Sequence, residues 1–430
     1  MREIITIQVG QAGIQLGNAV WEQYCAEHDI NNEGIQQRET KDNAFKVFFE
    51  EASSGRFVPR SFAIDLEPNA IDDVKSGPLG SLFNTNNLVS ENEDSACTFA
   101  RGHYMIGEDQ LRKLADSCDN IMGFMMTNSI GGGTGSGLGM LIWDEVQIHY
   151  KKRSKVGCVI YPSHTFSTSI LEPYNALLGM QCLVNSTDIV LAFDNESIYN
   201  ICQRNLHIAK PDISNVNRLI AKVISSTTAS LRFSGESSAD LNELQMSLVA
   251  FPRLHFMTTG MSPIVSKMDI TTTPNDMQTI TDECFKPTNW LVHYDSFDPA
   301  EDKYMSVMLN YRGNVTSKEA NTAVQLLKKN NQVHLVEWCP TGFKIGLNDV
   351  PATILEQDDI GAFSKNAAMI ANNTGIFRMF YKRIVQKYQL MFEQRAFIHW
   401  YAMAGMIVKK NYNKKLAEKN RSTENNREIL

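Results

Sequence analysis

The chain predicts an α/β protein: a doubly wound parallel sheet over its first half, a smaller α/β unit after it, and helices toward the C-terminal end. Three stretches carry that prediction. "EIITIQV" (3–9) alternates and is β-branched, and "GQAGIQLGNAVWEQYCAEHDI" (10–30) then reads as a loop entering an amphipathic helix. The same strand, glycine turn and helix recur at "NIMGFMMTNSI" (120–130) and "GLGMLIWDEVQIHYKKRS" (137–154), with basic residues read into the last helical turn. "KVGCVIYPS" and "DIVLAFDNE" are near-continuous apolar runs, the pattern of strands covered on both faces.

A long helical pattern at 215–233 closes this half. After "SGESSAD" (234–240) come a helix at 240–250, strands at 254–260, 304–311, 333–338 and 343–348, and helices at 276–285 and 317–330. From about Lys365 onward the pattern reads as mostly helical, ending in a polar tail. The division predicted is 1–232, 233–374 and 375–430.

Composition narrows the function classes. The 430 residues are 43% hydrophobic and 21% charged, which is globular composition and excludes a fibrous or disordered class. The net charge of −7 combines +4 on residues 409–430 with −11 on the body. An acidic body argues against nucleic acid as main partner. Eight cysteines without a C-x-x-C pair read as reduced thiols of a cytoplasmic protein. Met1 runs straight into the first strand pattern, so no leader is expected. Residues 120–143 are uncharged over 24 positions, but seven are glycine, which argues against a membrane helix.

"SIGGGTGSGLG" (129–139) holds six glycines and no charge. Glycine lets backbone amides approach a ligand closely, and a helix N-terminus adds about half a positive charge there, so phosphate is the natural ligand. No lysine lies between Asp119 and Lys151, which excludes a Walker loop, and G-x-G-x-x-G finds no register in the run. What remains is a loop that grips phosphates with amides and the Thr134 and Ser136 hydroxyls. The charge balance then calls for a cation. Asp65 and Glu67 of "DLEP", at the end of the strand "SFAID", are the candidates for Mg²⁺.

Taken together, "GGGTGSG", "MREIITIQVGQAGIQLGN", "FAIDLEP", "ARGHY", "LEPYN", "DNESIY", "NVNRLI", "TASLRF", "WCPTGFK" and "QRAFIHWY" resemble the tubulin family in family order along almost the whole chain. "WCPTGFK", "DLNEL" and the long loop around "PATILEQDDIG" resemble the alpha type. The resemblance implies a Rossmann-like GTPase domain, GTP and Mg²⁺ as ligands, and pairing with beta-tubulin head to tail into protofilaments of the cytoplasmic microtubule cytoskeleton. It implies no nucleic acid and no membrane partner. Carried over by motif, Gln11 and Ala12 lie near phosphates and metal, and Gln15 near the guanine side. Asp65 and Glu67 manage the metal, and Asp94 sits in a third loop. Ser129, Gly132, Gly133 and Thr134 form the phosphate cradle, Thr168 and Glu172 the ribose side, and Asn195 and Asn217 read the guanine edge. Glu243, assisted by Asp240, acts on GTP held by a neighbouring beta-type chain, while this chain's own nucleotide, buried against beta-tubulin, stays unhydrolysed.

Four departures from that pattern stand out. Ile213 replaces an aromatic ring against the guanine, costing about 0.5–1.5 kcal/mol. Cys97 replaces an asparagine near the phosphates at a similar cost of roughly 0.5–1.5 kcal/mol. "GHYMIGEDQLRKLADSC" is shorter than its family counterpart by about seven residues, close to two helical turns, on a helix that faces the neighbouring protofilament. The acidic tail gives way to Ile407, Val408, Lys409 and Lys410, a sign reversal that alters docking of microtubule-associated proteins. The last two departures support an alternative, a tubulin-like GTP-binding regulator or cap outside the lattice. The loop near Lys41 also departs from the family pattern, and no modification is carried over to it.

Overall fold

The computed structural model describes residues 3–38, 44–91, 95–103, 120–163, 167, 169–233, 240–271, 275–294, 302–330, 333–339 and 342–406. Asp94, Thr168, Lys41, the shortened 104–119 segment and the 407–430 tail lie outside them.

In chain order the first half contains β1 (Glu3–Val9), α1 (Gly10–Glu27), a small hairpin of β2 (Phe49–Glu51) and β3 (Phe57–Pro59), β4 (Ser61–Asp65), α2 (Pro68–Ser76), β5 (Leu88–Ser90) and α3 (Phe99–His103). Then follow β6 (Ile121–Ser129), α4 (Gly139–His149), β7 (Ser154–Tyr161), α5 (Glu172–Ser186), β8 (Ile189–Asp194), α6 (Asn195–Asn205) and α7 (Ile213–Arg232). The second half adds α8 (Leu241–Leu248), β9 (Phe256–Ser262), α9 (Met277–Cys284), β10 (Tyr304–Gly313), α10 (Ser317–Lys329), β11 (Phe343–Asn348) and β12 (Lys365–Asn373). Three helical pieces close the described chain: α11 (Ile376–Met379), α12 (Gln386–Glu393) and α13 (Ile398–Met403).

Ten strands form one sheet in the order β11-β10-β12-β9-β8-β7-β6-β1-β4-β5. From β5 to β9 every neighbouring pair is parallel, as the buried apolar runs predict. All residues of β1, β7 and β8 are buried, because helices cover both faces. Alternate residues feed two cores: Ile4 and Met125 enter one, Ile5, Ile7, Val9, Phe124 and Met126 the other. The sheet continues across the midpoint of the chain, since Val190, Leu191 and Ala192 of β8 pair with Phe256, Met257 and Thr258 of β9.

Several local readings need correction. The segment from Lys365 is not helical at first: Lys365–Asn373 is β12, an interior strand antiparallel to β9 and β10. Its alanine- and asparagine-rich sequence holds one β-branched residue, Ile370, so burial between two neighbours overrides propensity. Residues 333–338 contribute only an isolated bridge, Tyr304 to Leu335. The helix α1 begins at Gly10 itself with no loop before it. Lys151, Lys152 and Arg153 lie beyond α4, whose last turn carries only His149 as a basic residue. The uncharged 120–143 stretch is β6, the glycine turn and part of α4, and no described helix is long and apolar enough to cross a membrane.

A buried charge cluster joins the halves. Glu27 at the end of α1 accepts from Arg232 of α7 at 2.6 Å and from Arg312 of β10 at 3.0 Å, with all three side chains essentially inaccessible. Arg232 also lies over the Tyr24 ring at 4.2 Å, and Ser225 donates to Glu27 at 2.7 Å. Burial opposes ionisation of Glu27, but the two guanidiniums outweigh it and hold the carboxyl well below the usual range. The resulting stabilisation is present above the unfolded carboxyl's range and is lost as pH falls toward the lowered one. Removing the carboxylate strands two buried cations, so Glu27→Ala is expected to destabilise the chain by about 3–5 kcal/mol, read as a drop in urea midpoint. A midpoint within error of the parent would contradict this reading.

Candidate functional site

Strand order reverses at β1. The chain leaves β1 for β4 on one side and later returns to β6 on the other, so a crevice opens beyond the carboxyl ends of β1 and β6. Two helical N-termini meet there. The first turn of α1 follows Val9, which provides no side-chain cap, and the π-helical turn Thr134–Leu138 follows Gly133, likewise without a cap. Both ends therefore keep N–H groups and a positive dipole end for an outside acceptor.

The glycine run makes this approach sterically feasible. Gly10 has φ +72, and a Cβ on it would lie 3.3 Å from the amide nitrogen of Gly135. A Cβ on Gly135 would meet the Ser129 carbonyl oxygen at 2.3 Å, and one on Gly137 the Phe99 carbonyl oxygen at 2.3 Å. Gly133 packs on the 95–98 turn, where a Cβ would come within 2.5 Å of the Thr98 nitrogen. Only over Gly132 is the space open. Half of the run's glycines, Gly133, Gly135 and Gly137, are thus bare because backbone packs on backbone, and Gly132 is the member that faces outward.

The polar side chains divide similarly. Asn128 donates to the Gly135 carbonyl at 2.9 Å, and Asn175 donates to the carbonyls of Gly131 at 3.0 Å and Cys97 at 2.8 Å. The Ser129 hydroxyl oxygen accepts from the Gly131 amide at 3.4 Å. The Ser136 hydroxyl turns back onto the Gly132 carbonyl and is buried, so it is not the phosphate ligand predicted for it. Thr134 sits 3.3 Å from the Ser95 hydroxyl and hydrogen-bonds Asp65. Glu172 is buried at the start of α5, beside Gly131, and accepts from Ser167 at 3.0 Å. Cys97 lies against Gly133 with φ 54, a left-handed conformation that asparagine tolerates more readily.

Asp65 and Glu67 do not share an environment. Asp65 is buried and accepts from the Leu66 amide at 2.8 Å, whereas Glu67 is exposed and bonded to Asn69. No cluster of three or more metal-ligating side chains occurs among the described residues. Mg²⁺ is compatible with that, because it is held by one or two carboxylates together with phosphates and water. Burial pushes Asp65 up to about 6.

Beyond the phosphate end, a cleft of about 520 Å³ runs along α1 and the start of α7. Gln15, Asn18 and Glu22 line it from α1 at a helical spacing of three and four, and Ile213 and Asn217 from α7. Ile213 is 53% exposed, an apolar surface without a cover. The Asn18 Oδ1 is buried with no partner. A planar base with polar edges fits both features. Gln11 and Ala12 occupy the first turn of α1, with Gln11 exposed. Asn195 opens α6 and is not among the residues of this wall, but its Oδ1 is also buried and unsatisfied. The sequence reading missed Asn18 and Glu22, which the spacing after Gln15 could have revealed. It also missed Arg218 and Gln357, and Gln357 lies on a distant loop with no periodic signal.

Asp240 and Glu243 sit elsewhere. Asp240 is the N-cap of α8 rather than a member of it, and Leu241, Leu244 and Leu248 are the buried face of the helix. Leu241 touches Gly123 near the start of β6, and Asn242 bonds Ser154 at the start of β7. The helix therefore lies at the amino ends of the strands whose carboxyl ends hold the crevice. Six residue steps along β6 take Gly123 to Ser129, about 20 Å. Glu243 is half-exposed and paired with Lys344 of β11.

A lysine-free glycine turn between two uncapped helical N-termini, at the switch point of a doubly wound sheet, defines a class of α/β protein distinct from Walker and dinucleotide folds. A model of the Tubulin/FtsZ family GTPase domain matches residues 3–203, and one of the tubulin C-terminal domain matches 252–385. Tubulin alpha-2 of Eleusine indica and alpha-1 of Arabidopsis thaliana are each 44% identical over 417 residues, 94% of this chain and 92% of theirs. Tubulin alpha-1 of Saccharomyces cerevisiae is 44% identical over 418 residues, 94% and 93% of the two chains. The chain belongs to the tubulin family, as a GTP-binding member related to the alpha chains.

The raised Asp65 carboxyl yields a signed expectation. Its contribution to stability is present below the unfolded value of 3.8 and is lost as pH rises through about 6. Without added divalent cation, Asp65→Asn should stabilise the chain by about 3 kcal/mol at pH 7.5 and roughly half that at pH 5. Melting curves at the two pH values check it, and an equal shift at both would contradict it.

Proposed function

We propose that the chain is an alpha-type microtubule subunit that binds GTP in its own crevice, pairs with a beta-type chain, and supplies Glu243 to GTP held by the next subunit. The observation that carries this reading is the separation of crevice and α8 to opposite ends of one sheet. A glutamate some 20 Å away along β6 cannot serve the chain's own phosphates. Acceptor and donor surfaces that differ in this way make head-to-tail contacts, which propagate as filaments. The surface around α8 is suited to docking: Met246 is 77% exposed, and Phe251 and Trp338 form an exposed edge-to-face pair at 5.3 Å.

Within the crevice, the amides of the first turn of α1 and of the turn at Gly132, Gly133 and Thr134 hold phosphate oxygens, with Ser129 bracing the turn. Gln11 and Ala12 form the adjoining edge. Asp65, directly or through water, and Glu67 hold Mg²⁺, which neutralises phosphate charge when bound. Glu172 orders the ribose side, and Gln15, Asn195 and Asn217 read the base. Glu243 orients the attacking water of the neighbour's GTP, with Asp240 assisting, once contact with the partner draws it from Lys344.

The shortened segment near 104–119 and the basic tail favour a second reading, a GTP-binding regulator or cap that stays out of the lattice. One experiment tests both. Co-assembled with a beta-type partner, Glu243→Ala should sediment with polymer, keep its own nucleotide, and slow GTP turnover about 100-fold or more, the scale of losing a positioned acid or base. Unchanged turnover removes Glu243 from its role. A parent chain left in the supernatant while the partner polymerises supports the second reading.

A further inference from the structure

The far end of the nucleotide cleft is walled by a segment remote in sequence, the connection between β11 and β12. Gln357 of that connection lines the cleft together with Arg218 and Asn217 of α7. One face of α7 holds it there. Asn215 donates to Asp359 at 2.8 Å, and Arg218 donates to the Gln357 carbonyl at 2.7 Å and to its side-chain Oε1 at 2.8 Å. One turn on, Lys222 pairs with the buried Asp358 at 2.6 Å. Positions 215, 218 and 222 follow the helical spacing of one face, while 213 and 217 turn to the cleft. The same connection is anchored to α1, where Gln23 donates to the Thr353 carbonyl at 2.8 Å.

These contacts form two layers. The Lys222–Asp358 pair is buried and fixes the course of the loop. The Arg218–Gln357 fork is at the cleft edge and part-exposed, so it can open without unfolding the anchor. Because a guanidinium only donates, the Gln357 amide must turn its oxygen to Arg218, leaving its NH₂ for the cleft.

We propose that Arg218 is a positioning residue: by fixing Gln357 it latches the 349–364 connection across the base end of the cleft and retains the bound nucleotide. This rests on the cleft being the guanine nucleotide site. A partner that pulled the loop from α7 would thereby speed nucleotide release.

The test is the dissociation rate of radiolabelled GTP from the purified full-length chain, with amide exchange over 353–359 reporting loop opening. R218E removes two charge-assisted hydrogen bonds, so release should quicken about tenfold or more. Q357R sets two cations together and should behave alike. The double variant R218E/Q357R replaces the fork with a carboxylate–guanidinium pair and should return release toward the parent rate, a rescue that general damage to α7 would not give. Q357A, at an exposed residue that folding tolerates, should quicken release to a smaller degree. Parent-like release in R218E and Q357A, with faster amide exchange in the loop, would overturn the latch. A double variant as leaky as the single variants would overturn it too. A parent chain that binds no guanine nucleotide at all would instead remove the site reading on which the latch rests.

Discussion

The contact between the Gly10 and Gly135 backbones is the constraint from which the functional geometry follows. Two helical N-termini can lie side by side only if neither strand-to-helix turn carries a side chain at the crossing. Gly135 and Gly137 serve the same end by letting the turn sit directly on β6 and α3. The local field for an anion then comes from amides and dipoles, which is why the run carries no lysine. A backbone cradle holds charge without a long side chain that must be ordered on binding.

The sheet that carries the cradle also sets the distance to Glu243. The parallel strands β6, β7 and β8 are buried on both faces and end in the crevice at one edge and in α8 at the other. A spacer of this kind keeps the crevice and Glu243 apart within one chain, which is the geometry that the proposed head-to-tail pairing requires. The buried Glu27, Arg232 and Arg312 cluster has a complementary role, since it ties α1 and α7, both of which line the cleft, to β10 of the second half.

Much of this was legible in sequence because it is written locally. Strand, glycine turn and helix announce themselves by period, and the apolar face of α8 was readable from Leu241, Leu244 and Leu248. Non-local facts were not. Lys365–Asn373 shows no strand alternation, and it becomes a strand where β9 and β10 flank it. Ser136 lies inside the phosphate run, yet its hydroxyl prefers its own helix carbonyls, a choice that spacing does not encode. Gln357 joins the cleft through a loop 139 residues from Arg218, and Lys344 reaches Glu243 from 101 residues away.

The account stands on a guanine nucleotide held by main-chain amides around Gly132 to Thr134. Denaturing the purified, folded chain and resolving the released small molecules by chromatography and ultraviolet spectrum measures this directly. A stoichiometric guanine nucleotide is the predicted result. An adenine spectrum, or a folded chain that releases nothing and takes up no added GTP, would contradict it.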